Sequence, residues 1–102
     1  MRMGKRMRTA LEYLGKDYII ENIDGENCIY RDLHNGYDIE ISGINHPRGG
    51  VCNFVCVWDI RRGKGLASRS VEYVYQPKSL WDLRCILNDL CKKYGPGKDT
   101  GQ

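Results

Sequence analysis

The residues able to do chemistry in this chain are five cysteines (Cys28, Cys52, Cys56, Cys85 and Cys91), two histidines (His34 and His46) and a carboxylate pair, Asp38 and Glu40. The cysteines are odd in number and contain no Cys-x-x-Cys pair, which argues against a complete disulfide set and against a zinc knuckle. Cys52 and Cys56 fall in a run that reads as a strand, where four residues span about 13 Å, too far to share one tetrahedral metal. They are expected as reduced core thiols. The histidines occupy turn sequences, without a serine or cysteine at the spacing of a nucleophile pair. Asp38 and Glu40 stand about 7 Å apart on one strand face, a pattern that also describes the wet side of any half-buried strand, and the wet side is the expectation. Gly95-Pro96-Gly97-Lys98-Asp99-Thr100 departs from a phosphate loop in its glycine spacing, in the residue after the lysine and in following a helix. The expectation is a non-enzymatic chain without metal or cofactor.

Binding chemistry is better supplied. Arg61, Arg62 and Lys64 with Arg69 form a basic glycine-containing turn that could meet phosphates or an acidic protein surface, with Trp58, Tyr73 and Tyr75 as aromatic neighbours in sequence. Trp81, one position after Leu80 and off the helical stripe, is a candidate interface anchor, whereas Trp58 is expected in the core. The candidate binding residues are thus Arg61, Arg62, Lys64, Arg69 and Trp81. The formal net charge of +3 is local: Arg2, Lys5, Arg6 and Arg8 lie in the first eight residues, and the remainder sums to −1. Met3 and Met7 are alternative start positions, and a start at Met7 brings the net charge to zero. Basicity therefore belongs to an arm, residues 1–6, and carries little argument for nucleic acid.

These residues must be positioned by a single domain, because 102 residues do not hold two cores. Met7, Ala10, Leu11 and Leu14 have the spacing of a one-faced helix ended by Gly15. Asp17–Ile23 and Asn27–Leu33 read as strands around the Asp24-Gly25 turn, and Asn35-Gly36 leads into the alternating strand Tyr37–Ser42. Gly43–Gly50 is a loop. Val51–Ile60 is apolar on both alternate faces and reads as a central strand, with Val71–Tyr75 pairing beside it. From the N-cap Ser79, the stripe Leu80, Leu83, Leu87, Leu90, Cys91 and Tyr94 marks a helix ended by Gly95-Pro96, and residues 96–102 read as a mobile tail. The expected fold is α+β, in the order α-β-β-β-β-β-α: an antiparallel meander of about five strands with the C-terminal helix packed on one face.

With 41% hydrophobic and 28% charged residues the chain has the balance of a folding domain rather than a disordered one. No apolar run reaches the ~20 residues of a membrane span, and no apolar stretch follows the basic start as in a secretory signal, so a cytoplasmic protein is expected.

Through Tyr37–Gly43, Val55-Cys56-Val57-Trp58-Asp59-Ile60 and Lys78-Ser79-Leu80, residues 8–94 resemble small uncharacterised proteins carried by phages and integrative elements of Gram-positive bacteria. The matching motifs are strands and a cap, without a catalytic signature. Such elements carry anti-CRISPR inhibitors, so the resemblance implies an intracellular inhibitor that binds a host nuclease or its guide complex, a larger protein or ribonucleoprotein. The rival expectation is a direct nucleic-acid binder using the arm and the 61–69 hairpin. The resemblance transfers no functional residue.

Overall fold

In the computed structural model, which describes residues 4–23, 25–60 and 69–95, helix α1 (Lys5–Leu14) precedes strands β1 (Ile19–Ile23), β2 (Glu26–Asp32), β3 (Tyr37–Ser42), β4 (Phe54–Asp59) and β5 (Arg69–Tyr75), and helix α2 (Leu80–Tyr94) ends the order. The strands form one antiparallel sheet in sequence order, β1-β2-β3-β4-β5. This is the α+β meander expected from the sequence.

Strand alternation divides the sheet into two chemically different faces. Ile29, Ile41, Val55 and Val74 align across β2 to β5, and Ile39 stands opposite Val57 one pleat further on. These residues join Leu83, Leu87 and Leu90 of α2 and Met7 and Ala10 of α1 in one hydrophobic cluster. The leucine stripe of α2 is therefore its contact face. Helix α1 has no side-chain N-cap, because Gly4 precedes it. A ten-residue helix of this kind depends on docking, which Met7 and Ala10 provide. It begins at Lys5, so Lys5 and Arg6, expected in the arm, are helical.

The start of α2 is fixed by local polar bonds: Ser79 Oγ accepts from the Asp82 N–H at 3.0 Å, and Asp82 Oδ2 accepts from the Lys78 N–H at 2.9 Å. At its end the Gly95 N–H donates to the Cys91 carbonyl, in a contact so close that a side chain at position 95 would strike that oxygen. The β3–β4 connection extends to Asn53 rather than ending at Gly50. Gly50 has φ +63°, and the Val51 N–H that follows donates to the Pro77 carbonyl instead of to a sheet neighbour. Cys52 consequently lies in the helix-side cluster while Cys56 lies on the other face, so the two do not share a strand face as Val51–Ile60 implied.

Between Val57 and Trp58 the register against β5 jumps from Glu72 to Ser70. This bulge leaves Val71 packed against the core and Glu72 bonded to α2 on the same side. Glu72 Oε1 accepts from the Tyr94 hydroxyl at 2.6 Å and from Lys93 Nζ at 3.1 Å. The Tyr94 bond first, then that from Lys93, holds the Glu72 carboxyl below its ordinary 4.5. At the other side of the sheet Arg31 lies over the Tyr18 ring, 5.3 Å from its centroid, and donates to Cys91 Sγ. The last turns of α2 are thus tied to both β2 and β5.

A carboxyl whose folded pKa is lowered adds stability above its unfolded pKa and loses it as pH falls through the folded one. Tyr94→Phe is expected to destabilise the fold by about 1 kcal/mol at pH 7, with the gap to wild type narrowing below pH 4.5, the ordinary value for Glu72. Denaturant unfolding at the two pH values measures both; a gap independent of pH removes Glu72 from the account.

Candidate functional site

The face opposite α2 is built from the other alternate residues: Glu21 of β1, Cys28 and Tyr30 of β2, Asp38, Glu40 and Ser42 of β3, Phe54, Cys56 and Trp58 of β4, and Tyr73 and Tyr75 of β5. Across it, Tyr30, Glu40, Cys56 and Tyr73 lie in register, Asp38 stands opposite Trp58, and Phe54 stands opposite Tyr75. Ring packing continues along β5: the Phe54 and Tyr73 centroids are 4.8 Å apart and stacked, and those of Tyr73 and Tyr75 are 4.7 Å apart. Tyr75 is 74% exposed and Tyr73 43%. Large aromatic side chains thus stand toward solvent here, unlike the sealed surface beneath α2.

Beneath these rings Asp38 and Glu40 are only 7% and 6% exposed, which corrects the expectation of a wet face. The reason lies on the neighbouring strands: Trp58 and Tyr30 fold over the carboxylates and bond them. Trp58 Nε1 donates to Glu40 Oε1 at 2.9 Å, and Cys28 Sγ donates to Glu40 Oε2 at 3.6 Å. The Tyr30 hydroxyl donates to Asp38 Oδ2 at 2.8 Å, while Asp38 Oδ1 is buried without a hydrogen-bond partner among the described residues. Trp58, expected in the core, is half-buried on this face because its indole N–H reaches Glu40.

The electrostatics follow from burial beside like charge. Desolvation, with Asp32 and Glu40 adding to it against the Tyr30 bond, holds the Asp38 carboxyl above its ordinary 3.8. Desolvation and then Glu40 push the thiols of Cys28 and Cys56 up to about 12, and burial alone does the same to Cys52. Those three thiols are protonated at neutral pH and are poor nucleophiles.

A cavity of about 970 Å³ opens over the carboxylates, lined by Glu21, Tyr30, Asp38, Glu40, Trp58 and Tyr73 together with Asn22, Ile23, Phe54 and Ile60. Among the described residues, its lining includes three carboxylates and no lysine, arginine or histidine. Among the described residues, no group of three His, Cys, Asp or Glu could hold a metal ion. His34 and His46 are exposed in the β2–β3 and β3–β4 connections.

Of the candidate binding residues, Arg61, Arg62 and Lys64 lie outside the described residues. Arg69 begins β5 and is exposed, and Trp81 is 68% exposed in the first turn of α2. The length of β5, about 20 Å for seven residues, stands between Arg69 and the chain leading to Trp81, so the fold does not gather these two into one site. Among the described residues, no helix is long and apolar enough to cross a membrane. Comparison with protein-family models, with curated proteins and with solved structures gives no significant match.

A carboxyl whose folded pKa is raised opposes folding while charged; the penalty is complete above the folded pKa and vanishes as pH falls below the unfolded one. Asp38→Asn, which keeps an acceptor for Tyr30, is therefore expected to raise Tm at pH 7, with the gain shrinking as pH approaches 3.8. Thermal melts across that range check it, and a destabilised variant at pH 7 contradicts it.

Proposed function

We propose that this chain is a non-enzymatic interaction protein that engages a larger protein through the open face of its sheet. The observation that carries the reading is the aromatic surface of Tyr73, Tyr75, Phe54 and Trp58 laid over two buried carboxylates. Natural chains do not keep such a cluster unpaired on a sheet face for stability, since each exposed ring and each desolvated acid is unfavourable for the isolated fold. Aromatic side chains around a concave centre are the usual composition of a binding hot spot. Among the described residues, the protonated thiols of Cys28, Cys52 and Cys56 and the scattered histidines supply no nucleophile and base in mutual reach, which favours binding over turnover.

An inhibitor of a host nuclease or of its guide complex fits this design, because blocking a surface needs only complementarity. Direct binding of nucleic acid by the open face does not fit: Glu21, Asp38 and Glu40 repel phosphate.

The test is affinity capture from nuclease-treated host lysate with three baits: wild type, Tyr73→Ser/Tyr75→Ser and Trp81→Ala. A protein retained by wild type and by Trp81→Ala but lost, by tenfold or more, from the double variant supports docking through the open face. Retention indifferent to Tyr73 and Tyr75, or retention of nucleic acid alone before nuclease treatment, excludes it.

A further inference from the structure

Extending the proposal that the open face docks a protein, on which it rests, we infer that the cavity over Asp38 and Glu40 receives the guanidinium group of an arginine side chain of that partner. The first support is charge: among the described residues the lining offers three carboxylates and no cation. The second is an unsatisfied bond. Asp38 is more than nine-tenths buried and lines the cavity, and its Oδ1 has no partner among the described residues, although a buried carboxylate oxygen without a donor carries an uncompensated desolvation penalty. A donor arriving with the partner removes that penalty.

Geometry selects the kind of cation. Asp38 and Glu40 are separated by one residue, about 7 Å along the strand, and a planar guanidinium can present N–H groups on two sides to two separate carboxylates. Among the described residues each oxygen of Glu40 has one donor, Trp58 or Cys28, and keeps a second lone pair for the incoming group. The rings of Trp58, Tyr30 and Tyr73 provide faces on which a weakly hydrated guanidinium stacks, whereas an ammonium ion gives up a tighter hydration shell for a single point contact.

The probe is Nα-acetyl-arginine N-methylamide, titrated into the full-length ¹⁵N-labelled chain while the Trp58 indole N–H resonance is followed. A saturable shift is expected, weakened roughly fivefold or more for the lysine analogue and absent for the neutral citrulline analogue. Asp38→Asn should weaken arginine binding by roughly tenfold, equal to about 1.4 kcal/mol, and Glu40→Gln should weaken it too, with dispersed spectra showing that both variants are folded. Absence of a Trp58 shift with arginine, or an equal shift with citrulline, overturns the site. If arginine fails while Tyr73→Ser/Tyr75→Ser still abolishes protein capture, only the cation site falls. If arginine binds as described but capture ignores those tyrosines, the docking reading falls and the partner's arginine falls with it as occupant.

Discussion

Strand β3 imposes the constraint on which the rest of the structure depends: it is buried on both faces, yet it carries apolar residues on one and carboxylates on the other. Ile39 and Ile41 are sealed under α2, and Asp38 and Glu40 are sealed on the opposite face. Burying two like charges in neighbouring positions of one strand is unfavourable unless donors or opposite charges meet them. The isolated chain meets the requirement only in part. Tyr30, Trp58 and Cys28 bond three of the four oxygens with neutral donors, and among the described residues no cation lines the cavity above them. Among the described residues the face is therefore stabilised by hydrogen bonds from neutral donors rather than by an ion pair.

That arrangement explains why β4 is apolar in both of its alternating sets. Val55 and Val57 face the helices, while on the other face Trp58 covers and bonds Glu40 and Cys56 packs beside it, so neither set could be polar without exposing what it covers. The same logic explains the burial of Cys28 and Cys56 beside Glu40, where small, weakly polar side chains fill space without adding charge. Beneath the sheet the design is conventional: a leucine stripe on aliphatic strands, held at the end of α2 by Glu72 with Tyr94 and by Arg31 with Cys91. Glu72 faces the helix by regular alternation from Val74, and the bulge beside it keeps Val71 against the core as well.

Much of this fold was legible in the sequence because its signals are local. Turn pairs such as Asn35-Gly36, the period-2 run Tyr37–Ser42, and the Ser79 cap with its leucine stripe each act over a few residues. The carboxylate site was not legible, because it depends on register across the long β3–β4 connection. That connection takes Val51 to the Pro77 carbonyl and fixes Trp58 opposite Asp38 only after eleven residues of irregular chain. A clue was present: a strand apolar on both faces cannot lie beside a fully wet face, so the alternating acids of Tyr37–Ser42 had to be covered wherever they met it. The basic turn drew attention because clustered charge is visible without knowing register. The acidic face has no such cluster in sequence, since Glu21, Asp38 and Glu40 come from different strands or alternate with isoleucine.

The two faces also differ in what evolution can change without unfolding the chain. Beneath α2, volume and hydrophobicity are tightly coupled, and a smaller or polar side chain leaves a cavity or an orphaned group. Above the carboxylates the aromatic rings are partly exposed already, so their identities are less constrained by folding than by what they touch. A buried acid that opposes folding is tolerated at a binding surface because the same desolvation that makes it unfavourable alone makes its pairing with a cation strong. The open face thus joins exposed aromatic rings to buried carboxylates, and it is on this combination that the proposed docking of a positive, planar group rests.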